Sequence, residues 1–400
     1  MKILVADAFE KSGLDGLAAL GCEVLYEPKL EGAALGARLA ETGAEVLVVR
    51  GTKVGAPEIE AASGLALIVR AGAGVNTIDI QSASARAIAV SNCPGKNAIA
   101  VAELTWGLIL ALDRRIVEQA NDLRAGIWNK ALYGKARGLA GRTLGVVGLG
   151  AIGLEVVARA KAFGMPVVAW SRSLDDDRAS RLGVARADSV HALAAASDVV
   201  TVHCALTKET KGMLDAKFFE AMKPGAFFVN TSRGDVVDQP ALEAAIAEKG
   251  LRAGLDVFAK EPAGGTGAFE DGIARLPAVI GTHHVGASTE QAQNAIAEET
   301  VRIVAAFAST GDVPNAVNLA SRTPATHVLS VRHRDRIGVL AHVFGVLRAA
   351  GINVEKTENV VFAGAEAACA QIQVGSAPQA GVLEEIRGCA DVLSVSVRAV

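Results

Sequence analysis

The sequence predicts an α/β protein: two doubly wound parallel-sheet domains followed by a small ferredoxin-like βαββαβ domain. Three observations carry this prediction. Short apolar strands alternate with helical stretches over the first hundred residues, and the alternation restarts at Leu144. After residue 325 the order changes to strand, helix, strand, strand, helix, strand. Strand–helix alternation implies crossovers that cover both faces of a parallel sheet. A chain of 400 residues has room for two or three cores.

The elements follow in order. KILVAD (2–7), EVLYE (23–27), EVLVVR (45–50), LALIVRAG (65–72) and AIAV (87–90) are the strands of the first sheet. An apolar helical pattern occupies about 98–120, and a polar stretch runs on to Arg142. Six strands of the second sheet begin at Leu144 and continue at 167–171, 199–204, 226–232, 253–258 and 278–284. A helix is expected over 290–310. After a linker, LASRTPA (319–325), come strand 326–332, helix 337–351, strands 352–362 and 367–374, helix 379–388 and strand 392–400. Residues 1–97 and 285–320 are expected to form one domain, interrupted by 98–284, with 325–400 as a third.

The densest signal is LGVVGLGAIG (144–153). A β-branched run ends in Gly148-Leu149-Gly150-Ala151-Ile152-Gly153, and a helical pattern starts at once. Gly148 permits a tight turn, Gly150 lets backbone approach a pyrophosphate, and Gly153 lets helix pack on strand. The helix start offers free N–H groups to phosphates. With strand PVVAWS (166–171) beyond, the βαβ unit is complete and reads as dinucleotide-binding.

Composition excludes several classes. Hydrophobic residues are 51%, charged residues 21% and aromatics 4%, so ordinary aliphatic cores are expected. Net charge is −3 with pI near 6.2, which argues against nucleic acid or an anionic membrane as partner. Mean hydropathy is +0.33, yet no apolar run reaches the roughly 18 residues of a membrane span. MKILVAD enters a strand directly, without signal-peptide architecture, and a cytoplasmic location is expected. The five cysteines, Cys22, Cys93, Cys204, Cys369 and Cys389, are scattered, which suits free thiols and no metal site.

Three corners of the second sheet each present one polar residue: Arg233 in NTSRGDVVD, Glu261 in DVFAKEP and His284 in THHVGAST. Residues just past the C-terminal ends of parallel strands share the edge where α/β proteins bind ligands. In this order after VGLGAIG, these motifs resemble the D-isomer-specific 2-hydroxyacid dehydrogenases, over essentially the whole chain. VVRGTKV (48–54), RAGAGVNTID (70–79) and AVAELTWGLILAL (100–112) are most similar to the family's D-3-phosphoglycerate dehydrogenases, and 333–354 resembles an ACT domain.

The resemblance implies hydride transfer between D-3-phosphoglycerate and NAD(P)+, the entry to serine synthesis. It casts His284 as the proton carrier, Glu261 as its orienting carboxylate and Arg233 as the anchor of the substrate carboxylate. Ala73, Gly74 and Val75 would bind that carboxylate through backbone, and Arg50 would face the 3-phosphate. Thr231 and Asp256 join the glycine loop in the implied cofactor site. A homodimer or homotetramer is also implied. A glyoxylate, hydroxypyruvate or 2-oxoglutarate reductase remains open, as does a binding protein that senses nicotinamide redox state.

The chain departs from the family pattern at several points. Ser171-Arg172-Ser173 replaces the acid that binds the ribose hydroxyls in NAD-specific members, leaving both NAD(H) and NADP(H) open. Ala151 replaces a common Arg, and His283 stands where Pro usually precedes the catalytic His. In the ACT-like tail, His333, Asp335 and Asn353 match the positions of an L-serine effector site, with Asp335 in place of Asn and Ile337 in place of Pro.

Overall fold

In the computed structural model, which describes residues 1–262, 266–320 and 323–400, five parallel strands make the first sheet. They are β1 (Lys2–Val5), β2 (Glu23–Tyr26), β3 (Val46–Val49), β4 (Leu67–Arg70) and β5 (Ala89–Asn92), in the order β2-β1-β3-β4-β5. β3 is VLVV and buried along its whole length, as a strand covered by helices on both faces must be. The helix Glu290–Thr310 returns to this sheet, where Ile296, Ile303 and Val304 pack with Ile3, Val5 and Leu17.

The second sheet has seven parallel strands. These are β6 (Leu144–Val147), β7 (Val167–Trp170), β8 (Ala185–Arg186), β9 (Val199–Val202), β10 (Phe227–Asn230), β11 (Arg252–Leu255) and β12 (Val279–Gly281). Their order, β12-β11-β10-β9-β6-β7-β8, reverses direction between β6 and β9. That reversal opens a crevice beyond the C-terminal ends of the two strands. One face is covered by the helix Ala98–Arg114, whose Leu108, Ile109 and Leu112 pack with Val146, Val199 and Val229. On the other face Phe218, Phe219 and Phe228 meet edge-to-face. Both sheets lie in one compact unit, Met1–Asn318.

The second unit, Leu319–Val400, is a four-stranded antiparallel sheet with two helices on one face. β13 (His327–Arg334), β14 (Val354–Val361), β15 (Ala367–Val374) and β16 (Val392–Ala399) run in the order β14-β15-β13-β16. Burial alternates along β15, so that Ala368, Ala370, Ile372 and Val374 face the helices. The βαββαβ order expected for this segment is the one observed.

The structure differs from the sequence expectation in detail. The helix expected over 98–120 ends at Arg114, because Arg115 adopts a left-handed conformation (φ 52°). A new helix, Ile116–Arg124, follows, and the polar stretch holds a short one, Lys130–Tyr133, capped by the Asn129 side chain. The second sheet gains β8, only two residues long. Several strands stop earlier than expected, since Ser171, Asp256 and His284 leave the ladder to form the loops at the sheet edge. Ser321 and Arg322 of the expected linker lie outside the described residues. Among the described residues no helix is long and apolar enough to cross a membrane.

Candidate active site

A cleft of about 280 Å³ opens between the edges of the two sheets. Its lining includes Arg70, Ala73, Gly74 and Asn76 from the first sheet. From the second come Ile152, His203, Thr231, Arg233, Asp256 and His284. Arg70 is the last residue of β4, and each of the others comes from a loop at the C-terminal end of a strand or from the helix that follows one.

His284 Nδ1 donates to Glu261 Oε2 across 2.7 Å, and Glu261 Oε1 accepts the Phe258 N–H at 2.8 Å. Burial works to raise the Glu261 carboxyl, but the bonds from His284 and Phe258 and the charges of His284 and Arg233 hold it below its ordinary value. His284 itself sits at φ 52°, unusual for a residue with a Cβ. Asp256 holds it there. The backbone carbonyl of Asp256 accepts the His284 N–H (2.8 Å), and its buried carboxylate accepts from Val285 N (2.9 Å), Gly286 N (2.9 Å) and the Thr282 hydroxyl (2.6 Å). The sequence expectation put Asp256 at the cofactor; in the structure its hydrogen bonds fasten the His284 loop.

Arg233 follows β10. Its Nη1 donates to the Ser232 carbonyl at 2.6 Å, and a Cβ on Gly74 would lie 2.4 Å from its Nη2. Glycine at 74 therefore admits the guanidinium to the loop after β4. The loop itself is tied down by Asn92, whose amide donates to the Ala73 carbonyl at 2.5 Å. Val75 and Arg50 do not line the cleft. Arg50 follows β3 in a turn whose N–H groups at 50, 51 and 52 all donate to the Asp7 carboxylate.

Sequence reasoning missed Arg70. Its guanidinium lies against Gly72, where a Cβ would collide with Nη1, and its buried Nε has no hydrogen-bond partner. Burial, then the charges of Arg233 and Arg50, lower it to about 10. Among the described residues none of Arg50, Arg70 and Arg233 has a carboxylate within 4.0 Å. Only the convergence of β3, β4 and β10 reveals this basic pole, because in sequence Arg70 is one residue at the end of an apolar run.

The glycine loop has the shape a dinucleotide requires. A Cβ on Gly153 would stand 2.1 Å from the Gly148 carbonyl oxygen, and one on Gly148 (φ 96°) would stand 2.7 Å from the His203 carbonyl oxygen. Nothing lies within 4 Å of the corresponding point at Gly150, so backbone is open to a ligand there. Ile152 and Thr231 line the cleft, and the Thr231 hydroxyl is hydrogen-bonded to that of Thr105 at 3.0 Å. Leu149, Ala151, Ser171 and Arg172 do not line the cleft, and Leu149 is buried in the core of the second sheet.

A family model, D-isomer specific 2-hydroxyacid dehydrogenase, NAD binding domain, matches residues 106–286. The hydroxypyruvate reductase of Thermotoga maritima is 42% identical over 260 residues, 64% of this chain and 82% of that protein. The chain belongs to the D-isomer-specific 2-hydroxyacid dehydrogenase family. A second relative, the D-3-phosphoglycerate dehydrogenase of Methanocaldococcus jannaschii, is 39% identical over 310 residues, 76% of this chain. The chain spans 57% of that protein's length. Among solved dehydrogenase structures, the NADPH-dependent glyoxylate/hydroxypyruvate reductase of Sinorhizobium meliloti, in complex with NADP and malonate, superposes with a TM-score of 0.69 at 28% identity. That match covers 79% of this chain and 96% of the other.

The remaining sequence candidates lie elsewhere. His283 is exposed and does not line the cleft. In the second unit His333 is buried, its ring nitrogens bonded to the Arg334 carbonyl (2.8 Å) and Asn359 Oδ1 (3.1 Å). Asp335 is exposed, and the Asn353 amide donates to Glu355 at 2.7 Å. Among the described residues no hydrogen bond joins His333, Asp335 and Asn353.

Proposed function

We propose that the chain is a D-2-hydroxyacid dehydrogenase using NAD(H) or NADP(H), and that its substrate is D-3-phosphoglycerate, oxidised to 3-phosphohydroxypyruvate. One observation carries the reading: the Glu261–His284 pair and the Arg233 guanidinium meet in one cleft with the unpaired Arg70. The open backbone at Gly150 and the close packing of Gly148 and Gly153 fit a pyrophosphate, so a dinucleotide would lie on this loop with Ile152 and Thr231 beside it. When bound, it takes up or supplies the hydride at substrate C2.

The protein's own groups do the rest. Glu261 holds His284 Nδ1, which leaves Nε2 to accept the proton of the C2 hydroxyl in oxidation and to return it in reduction. The Glu261 carboxylate supplies a counter-charge to the imidazolium that forms. Arg233 neutralises the substrate carboxylate, and its planar fork also reaches the C2 oxygen. Arg70, with Arg50 behind it, supplies the positive pole for a second anionic group. Such a pole fits a phosphate better than the uncharged hydroxymethyl of hydroxypyruvate.

A second reading has its own observation. Arg50, the residue the sequence assigns to the phosphate, stays out of the cleft lining, and a relative 42% identical is named a hydroxypyruvate reductase. Steady-state assays with 2-oxo acids, run beside nucleotide-binding titrations, test the proposal. Turnover that disappears in His284→Asn while nucleotide still binds supports a dehydrogenase. Nucleotide binding without turnover of any 2-oxo acid by the wild type would point to a redox sensor instead.

A further inference from the structure

We propose that Glu299 and Asn315, neither of which lines the cleft, are positioning residues that set the loop after β4 for the hydroxy-acid substrate. The inference rests on the reading of the cleft given above and extends it to a brace behind the cleft wall.

The loop after β4 is held from behind by the end of β5. Arg70 and Asn92, the last residues of the two strands, stand opposite each other in the ladder. Beyond them the Cys93 N–H donates to the Gly72 carbonyl at 2.9 Å, and the Asn92 side-chain amide donates to the Ala73 carbonyl at 2.5 Å. Among the described residues no other side chain hydrogen-bonds the backbone of residues 72–75. Ala73 and Gly74 line the cleft, and Gly74 is where the Arg233 guanidinium comes in. The placement of Asn92 therefore decides where that contact falls.

Asn92 is fixed in turn by the returning chain, which lies antiparallel along the edge of β5. The Ser91 hydroxyl donates to the Pro314 carbonyl at 2.6 Å, Ala316 bridges to Ser91, and the Val317 N–H donates to the Val90 carbonyl at 2.8 Å. Between these ties Asn315 takes a left-handed conformation, φ 57°, which asparagine adopts more readily than most residues. Its side-chain amide donates twice, to the Asn92 carbonyl at 3.2 Å and to Glu299 Oε1 at 2.7 Å. Both partners are acceptors, so both hydrogens of the amide are committed.

Glu299 is the fixed end of the brace. It is buried on the helix Glu290–Thr310, and Arg302 donates to both of its oxygens, at 2.6 and 3.1 Å. The Lys96 ammonium faces Oε2 at 3.4 Å. The bond to Arg302 foremost, then that to Asn315, lower the carboxyl to about 2 against burial, so Asn315 meets a charged acceptor at neutral pH. The line of contacts runs from Glu299 through Asn315 and Asn92 to the Ala73 carbonyl without a gap.

Steady-state reduction of 3-phosphohydroxypyruvate and hydroxypyruvate by the full chain, beside calorimetric titration of NADH and NADPH, tests this. Asn315→Gly keeps the left-handed backbone and removes both bonds. The KM for the oxo acid should rise at least about tenfold, with kcat changed less and nucleotide affinity unchanged. Glu299→Gln, which keeps an oxygen for Asn315, should raise KM less than Glu299→Ala does. Lys96→Met leaves the bond between Asn315 and Glu299 Oε1 in place and should keep the wild-type KM. An Asn315→Gly protein with wild-type KM, whatever its melting temperature, or one that binds nucleotide and oxo acid equally more weakly, would overturn the inference and leave the dehydrogenase reading standing. If the wild type turns over neither oxo acid, the reading of the cleft fails and this one with it.

Discussion

Arg233 and Gly74 belong to different sheets, yet Arg233 Nη2 lies only 2.4 Å from where a Gly74 Cβ would be. The missing side chain at 74 is what lets an arginine of the second sheet enter the loop after β4 in the first. Gly74→Ala should therefore push the guanidinium aside. A displacement of about 1 Å in a positioning group lowers kcat/KM by about 10²-fold. Steady-state kinetics should show that loss, with nucleotide affinity unchanged by titration.

Glu261→Gln keeps a hydrogen-bond acceptor for His284 and removes the charge that faces the imidazolium. We expect kcat to fall by about 10²–10⁴-fold, the range of general acid–base catalysis. Nucleotide binding should persist. A variant with near-normal kcat would show that the 2.7 Å pair is structural.

Gly153→Ala places a methyl group 2.1 Å from the Gly148 carbonyl oxygen, which is backbone and cannot swing away. The helix Ala151–Ala162 must then lift from the loop. Overpacking of this kind destabilises by about 1–3 kcal/mol. Thermal unfolding should register the drop, and nucleotide affinity should fall with it.

Acid should unfold the protein in two stages with separate causes. Burial lowers His203 from 6.5 to about 3, so the unfolded chain takes up that proton first and stability falls as pH drops through this window. Glu299 is lowered from 4.5 to about 2, foremost by its bond to Arg302, with Asn315 and Lys96 assisting against burial. Its contribution is complete above about 4.5 and disappears as pH falls toward 2. Between pH 6.5 and 4.5 His203 acts without Glu299. Urea denaturation against pH should show His203→Gln flattening that upper segment. Glu299→Gln should lower stability at neutral pH and make the fall below 4.5 shallower, where His203 still contributes down to about 3.

The sequence made the architecture legible where a pattern is long or a residue type is forced. Alternating strands and helices, the glycine loop and the three polar corners are local signals, and the cleft gathers Arg233 and His284, with Glu261 hydrogen-bonded to His284. What stayed hidden depends on distance in space. Arg70 reads as the end of an apolar strand, and its importance comes from the charges of Arg233 and Arg50 brought beside it. Arg178 sits in an acidic run that reads as a solvated helix surface, although its guanidinium reaches the Leu149 carbonyl. The break at Arg115 carries no glycine or proline, and β8, at two residues, is too short for any periodicity.

Whether the cleft takes a phosphorylated 2-hydroxy acid is tested most directly by comparing 3-phosphohydroxypyruvate with hydroxypyruvate as substrates for reduction. Wild-type protein and Arg70→Ala should be assayed side by side with a saturating nucleotide. kcat/KM should be at least about 10-fold higher for the phosphorylated acid, as expected of one or more charge-assisted contacts. Arg70→Ala should erase the difference while sparing hydroxypyruvate. Equal rates on the two acids, or a preference for hydroxypyruvate, would rule out the phosphorylated acid as the substrate the cleft selects.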